Sequence, residues 1–397
     1  MEPQASPLQD KERLSWIDAA RGLAILGIFM VNVPAFNAPY FLYGGEEFVW
    51  TSTTSRAVQT FIDIFFQASF YTLFSLMFGF GIFMMKERLE LKNMNYRPII
   101  FRRLLILIGF GAVHAFLIWH GDILLSYGVF GFILFAFFNV KPATLLISAF
   151  SMLGVLVIPL TLGLYALRDS LGALGNSQPA EEAIRNYGEG NLMDIWQQNL
   201  TDWTYSNNAG TIPLLALSLI PMFLIGAYIA KRRWLHEPEV HLTSIKKWWV
   251  VTGGLFILFK AGPYVIGNPE WFQLLQDNIG GSASAVFYVL SITLAFRTSF
   301  GRKIIYPLTF VGRMSLSNYI LQSVISFFLF YSVGLGWYGE VTPLLSVLIV
   351  LIIFSMQVAG SKAWLRKYRY GPLEWLWRTL TYRKKQPLKR STRQASY

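Results

Sequence analysis

The chain has 397 residues, of which 54% are hydrophobic and only 14% charged. Soluble domains carry about 25% charged residues, so this composition argues against a water-soluble globular enzyme. Cysteine is absent, which removes disulfides, thiolate metal sites and a cysteine nucleophile. The 34 Lys and Arg against 22 Asp and Glu leave a net charge of +12. Its distribution decides between nucleic acid and the cytoplasmic face of a membrane.

Residues 1–16 are polar and charged, and no small-residue cleavage site follows the first apolar run, so no removable signal peptide is expected. A helix needs about 20 mostly apolar residues to cross the hydrocarbon core. About ten segments meet that length, at roughly 15–35, 60–85, 101–119, 122–140, 143–166, 211–230, 247–267, 280–297, 304–332 and 341–361. Only His120 and Gly121 separate the third from the fourth, which calls for a tight turn. Pro213, Pro221, Pro263 and Pro307 interrupt helices, as membrane spans tolerate when neighbours satisfy the freed carbonyls. The expected fold is an all-α polytopic membrane bundle over 15–361, between a cytoplasmic tail of 1–14 and a basic cytoplasmic tail of 362–397.

Loop charge sets the orientation. Basic clusters fall at 86–103, 231–247, 297–303 and after Gly360, and the alternate loops are acidic. Of the 34 Lys and Arg residues, only Arg56, Arg168, Arg185 and Lys260 fall on the side opposite the termini. The positive-inside rule then places both termini in the cytoplasm, and the net charge no longer calls for a nucleic-acid partner. The tail from Arg383 to Arg393 suits anionic headgroups. The loop at 168–210 is extracytoplasmic, with Trp196, Trp203 and Tyr205 forming either an interfacial helix or a substrate-contacting loop.

Charged and strongly polar residues inside a membrane need a partner or a task. In the first segment Asp18 and Arg21 are three apart and share a helix face, and Asn32 follows on the same stripe about 16 Å further on. Either an ion pair and an interhelical amide, or a site reaching inward from the cytoplasm, accounts for that stripe. Asp63 and Gln67 are four apart in the second segment, with Asp63 near the outer water. Arg103 and His114 repeat the eleven-residue spacing in the third, and Trp119-His120-Gly121-Asp122 follows. His114 is either a packed side chain or an intramembrane general base, since a neutral imidazole titrates at about 6.5. Arg313 precedes Asn318 and Gln322 in the ninth segment, followed by Ser323. Interhelical hydrogen bonding accounts for the amides, whereas Arg313 either snorkels or binds phosphate. A Walker loop, a dinucleotide glycine fingerprint and HExxH are all missing, and His236 and His241 make a weak metal pair. No metal site is expected.

The same residues carry a resemblance. Arg13-Leu14 with Ile17-Asp18-Ala19-Ala20-Arg21-Gly22 through Asn32 resembles the opening of the YeiB-like bacterial inner-membrane proteins, the domain-of-unknown-function family 418. His114 with Trp119, Gly121-Asp122-Ile123-Leu124 and Tyr127-Gly128 is similar to that family's central motif. Gly312-Arg313-Met314-Ser315-Leu316-Ser317-Asn318-Tyr319 and Gly371-Pro372-Leu373-Glu374-Trp375-Leu376-Trp377-Arg378 look like its C-terminal motifs. The family looks like a distant relative of multi-pass membrane acyltransferases, including O-acetylases of cell-surface sugars and the lysosomal heparan glucosamine acetyltransferase. The O-acetylase branch has Arg, ten residues, then His in its first helix, where this chain has Arg21 and Asn32.

The resemblance implies acyl transfer from a cytoplasmic thioester, acetyl-CoA or a related acyl-CoA used as co-substrate with no tightly held cofactor, to an envelope sugar or lipid. In that reading His114 is the base, and Asp122 orients a histidine or the acceptor. Arg21, Arg103 and Arg313, with Asn318, hold the donor; Asp18, Asn32, Asp63 and Gln322 orient and brace. The alternatives are a transporter that uses the polar stripe as its binding site, with Asp63 and His114 relaying protons, and a scaffold without catalysis.

Overall fold

The computed structural model describes residues 13–169 and 177–390. Among them the chain is helical apart from turns and one isolated antiparallel bridge, Tyr368 to Lys389. Eight stretches are long and apolar enough to cross a membrane, and the arrangement is that of a multi-pass membrane protein.

Helix α1 (Ser15–Asn37) is the hub. It is apolar nearly all round, as a helix surrounded by others must be, and 67% of its most apolar window is buried. It packs on α3 (Ser69–Leu91), α12 (Leu308–Arg313), α13 (Ser315–Phe330) and α14 (Pro343–Lys367). A side chain on Gly312 would collide with the Asp18 carbonyl, and one on Gly22 with the Leu308 carbonyl, so α1 and α12 cross in backbone contact. Gly79 and Gly226 do the same between α3 and α9 (Thr211–Lys231). At the periphery, α6 (Pro142–Ala166) has a window only 28% buried, with Ile147, Phe150, Val155, Ile158 and Leu162 pointing outward. Those side chains suit lipid.

Several expected spans are broken. The second segment begins earlier, as α2 (Thr53–Phe65), and is interrupted before α3, where Ala68 takes a left-handed conformation at φ 59°. Gln67 therefore does not continue the helix that carries Asp63. The third, α4 (Arg97–Leu117), ends in a loop. The fourth is split into α5 (Leu124–Gly131) and a single turn at Leu134–Phe137. The ninth is divided between the short α12 and the 16-residue α13, because the helix stops at Met314.

Between α6 and α9 lie α7 (Ser177–Gly188) and α8 (Leu192–Ser206). Helix α8 starts on a capping box of Asn191 and Asp194. It is pinned to the end of α4 by Asn199 donating to the Ala115 carbonyl at 2.6 Å and Trp196 to that of Leu117 at 3.1 Å. Residues 170–176 of the expected loop lie outside the described residues. Helices α10 (Leu242–Phe256) and α11 (Gly281–Ala295) adjoin π-helical turns at Ile257–Ala261 and Leu275–Gly280. Within the expected tail of 362–397, α15 (Pro372–Tyr382) folds back onto α4, and residues 391–397 lie outside the described residues.

Candidate functional site

A cavity of about 580 Å³ opens where the start of α1, the last turns of α3, the start of α4, the α12–α13 junction and α15 meet. Arg13, Arg21, Arg88, Lys92, Arg103, Arg233, Arg313 and Arg378 line it, against the carboxylates Asp18, Glu87 and Glu374. Those three acids are already engaged. Asp18 accepts from Arg13 Nε and Nη2 at 2.9 and 2.8 Å, with Arg21 at 3.6 Å. Glu87 pairs with Arg233 at 3.0 Å. Glu374 accepts the Leu316 and Ser317 backbone N–H groups at 2.7 and 3.0 Å and the Ser317 hydroxyl at 2.5 Å, capping α13. Burial pushes the Glu374 carboxyl above its usual range, with these donors opposing.

Among the described residues Arg88, Arg103 and Arg378 have no carboxylate within ion-pair distance. The Arg103 guanidinium lies 3.6 Å from the Trp377 ring centre, and Trp377 Nε1 donates to the Arg103 carbonyl at 3.0 Å. Burial and the neighbouring Arg13 charge hold the Arg378 guanidinium below its usual range. Guanidinium groups in excess, preorganised by stacking and partly dehydrated, have the geometry that suits phosphate oxygens. His236 adds an imidazole to the wall, stacked on Phe80 with ring centres 5.3 Å apart.

Phe74, Phe78, Ser315 and Trp377 also line a narrower slot of about 50 Å³ that runs deeper into the bundle. Its remaining walls are apolar but for Tyr127 and Tyr319. The Tyr319 ring packs beside that of His114, centres 5.1 Å apart. His114 is wholly buried, with Nδ1 2.8 Å from Asp122 Oδ1 and Nε2 2.8 Å from Ser323 Oγ. Asp122 Oδ2 accepts from the Leu125 backbone N–H at 2.6 Å, which fixes the carboxylate. A carboxylate on Nδ1 favours the tautomer with Nε2 as the accepting nitrogen. A Ser–His–Asp chain thus stands within the bundle, one helical turn beyond the slot's Tyr319.

Two further polar clusters brace the fold. Lys260, fully buried on the first π-turn, lies 3.4 Å from Asp63 and 3.2 Å from Asp277; Tyr264 and Gln276 each donate to Asp63 at 2.6 Å. Asp63 is therefore held in an ionic cluster and is not simply solvated. At the α7–α8 end, Asp202 accepts from Tyr43, Tyr187 and Gln198 at 2.6, 2.8 and 2.7 Å.

Residues 229–384 match the family described as "Protein of unknown function (DUF418)". The chain is 31% identical to "Uncharacterized protein YeiB" of Escherichia coli (strain K12), over 94% of this chain and 97% of that one. The chain belongs to the YeiB-like DUF418 family. It is also 37% identical to "Uncharacterized protein YxaH" of Bacillus subtilis (strain 168), over 98% of both chains. An uncharacterised 39.9 kDa protein of Bacillus acidopullulyticus is 26% identical over 96% of this chain and 97% of its own. No solved structure matches.

In this DUF418 chain, Arg21, Arg103 and Arg313 come together on one chamber, with Asp18 among them. The closer partner of Asp18 is Arg13, just ahead of α1, rather than Arg21. Asn318 lies off the chamber lining; its amide donates to Ser361 at 3.0 Å and to the Val311 carbonyl at 3.4 Å, a link between helices. Gln322 likewise bonds Gln357 at 2.8 Å. Asn32 is half-buried away from both cavities. Spacing gave no role to Ser323, Trp377 or Arg378; the last two belong to the motif from Gly371 to Arg378, whose resemblance to a family motif was the available signal.

Proposed function

We propose that this protein is a membrane acyltransferase. It takes an acyl group from a cytoplasmic thioester, acetyl-CoA or a related acyl-CoA, and passes it to a hydroxyl or amine of a bacterial envelope sugar or lipid. The observation that carries this reading is the arginine-rich chamber, joined through the slot to the neighbourhood of a buried Ser–His–Asp chain. Acyl-CoA has both parts that such a pair of cavities would sort, a polyphosphate head and an apolar thioester end. Arg21, Arg88, Arg103, Arg313 and Arg378 bind the phosphates. His114 Nε2 takes the proton of the acceptor hydroxyl as its oxygen attacks the thioester carbonyl carbon. The carbon–sulfur bond then breaks, and the leaving thiolate takes that proton from the imidazolium. Asp122 holds the ring and stabilises its charged form.

The positive-inside count supports an orientation with the chamber and both termini in the cytoplasm, ten crossings in all, in the inner membrane. The direct test is thermal stabilisation of the purified full chain. Acetyl-CoA and CoA should each stabilise it saturably, and Arg103→Gln with Arg378→Gln should abolish the effect. No stabilisation by either would overturn the reading. A second reading, a transporter, draws on the buried Lys260–Asp63–Asp277 cluster beside two π-turns. Stabilisation by an envelope-side solute, with none by CoA, would favour it.

A further inference from the structure

The slot has features that the chamber lacks. It shares four lining residues with the chamber and so continues it. Its walls are the aliphatic side chains of Ile25, Ile28, Leu107, Ile123, Leu124 and Leu316, closed by aromatic rings. These side chains come from α1, α4, the turn before α5, the first residue of α5, and α13; α1 packs on α13 and α4 on α5, and all six side chains belong to or pack on one hydrophobic core, so the walls cannot part without moving it. Its volume of about 50 Å³ accommodates about four water-sized positions, which is the bulk of an acyl group of two to four carbons.

One polar atom stands out in this lining. The Tyr319 hydroxyl is buried; the Ile123 backbone N–H is directed at its oxygen, and among the described residues no acceptor of normal geometry faces its O–H. A buried O–H with no acceptor is costly, and a carbonyl oxygen entering the slot would satisfy it. The same tyrosine ring packs against His114.

We propose that the slot is the acyl subsite of the donor site, sized for a short acyl group of two to four carbons, with the Tyr319 hydroxyl donating to the thioester carbonyl oxygen. The proposal rests on the acyl-CoA reading of the chamber and deepens it by naming the acyl class. An acetyl, propionyl or butyryl group fills the slot with its carbonyl against Tyr319. An octanoyl or palmitoyl chain meets packed aliphatic walls, whose displacement costs more than the added apolar contact returns.

The test is a chain-length series on the purified full chain in detergent, with CoA, acetyl-, butyryl-, octanoyl- and palmitoyl-CoA, read as dissociation constants. Wild-type protein should bind acetyl- and butyryl-CoA better than CoA, and octanoyl-CoA about tenfold or more weakly than butyryl-CoA. Ile28→Ala enlarges the slot and should erase most of the octanoyl penalty without altering CoA affinity. Should that variant fold poorly, Leu124→Val makes the same comparison with a smaller deletion. Tyr319→Phe should keep CoA affinity but lose the advantage of acetyl-CoA over CoA. If CoA binds and affinity is flat from acetyl to palmitoyl, or rises with chain length, the acyl subsite is wrong while the donor chamber stands. If neither CoA nor any thioester binds, the donor reading falls and the subsite falls with it.

Discussion

His114 is bonded through both ring nitrogens, to Asp122 and to Ser323, and this double engagement sets what its replacement must show. His114→Gln should cut acyl transfer by about 10²–10⁴ if the imidazole is the base, with acetyl-CoA affinity nearly unchanged. A two- or threefold loss measured on folded protein would remove it from the mechanism. His236 offers a second test. Burial, reinforced by Arg233 and opposed by Glu87 and Glu237, holds its imidazole below the usual range, so the folded protein favours the neutral ring. A depressed histidine contributes stability above its unfolded pKa of about 6.5 and loses it as pH falls through the folded value. A phosphate in the chamber favours the charged ring and pulls the other way. CoA should therefore bind more tightly from pH 8 to pH 6, and the difference between wild type and His236→Gln in paired titrations should isolate this histidine's share. An identical slope in both proteins would show that His236 does not face the phosphates. Part of this was legible in spacing. Three residues on one helix put Arg21 near Asp18, and eleven put Arg103 and His114 on one stripe. The link from His114 to Asp122 was not legible, because it depends on how the chain turns back after Leu117, and helical arithmetic stops where the helix does. Arg13 was missed as the main partner of Asp18 for the same reason, lying ahead of α1.

At the scale of elements, hydropathy found the apolar segments but not their interruptions. Ala68 has no glycine's freedom, yet it takes a positive φ between α2 and α3, and nothing in its side chain announces that. The stop at Met314 was equally hidden, since apolar residues run on both sides of it. The crossing of α1 and α12 makes a sharper prediction. A Cβ on Gly312 meets the Asp18 carbonyl and the Gly22 backbone nitrogen, neither of which rotates aside. Gly312→Ala should destabilise the protein by about 1–3 kcal/mol or more through this overpacking, read as a lower thermal midpoint in detergent. It should also weaken CoA binding, because Asp18, Arg21 and Arg313 hang on the two helices that the new methyl group forces apart. A wild-type midpoint would mean that the two backbones have room to spare.

For the molecule as a whole, the topology is open to a direct check. A reporter fused after Lys385 should behave as cytoplasmic, and one inserted near Glu189 as extracytoplasmic; both on one side would overturn the ten-crossing arrangement. The bundle and its basic face follow from composition, since lipid leaves few ways to satisfy backbone groups. That three of the four basic segments, those at 86–103, 231–247 and after Gly360, reach a single chamber is a property of packing, which composition does not encode. The closing helix α15 bears on how such a protein is made. Trp377 and Arg378 lie on α15, which is synthesised after all the expected spans, yet they form a wall of the chamber opened by residues 13–21. Chains emerge N-terminus first and fold in that order, so a nascent chain can thread every preceding span while the chamber is still incomplete. On the acyl-CoA reading proposed above, biogenesis itself would act as a safeguard, keeping a half-inserted chain from drawing on the cell's thioester pool before its exit path exists.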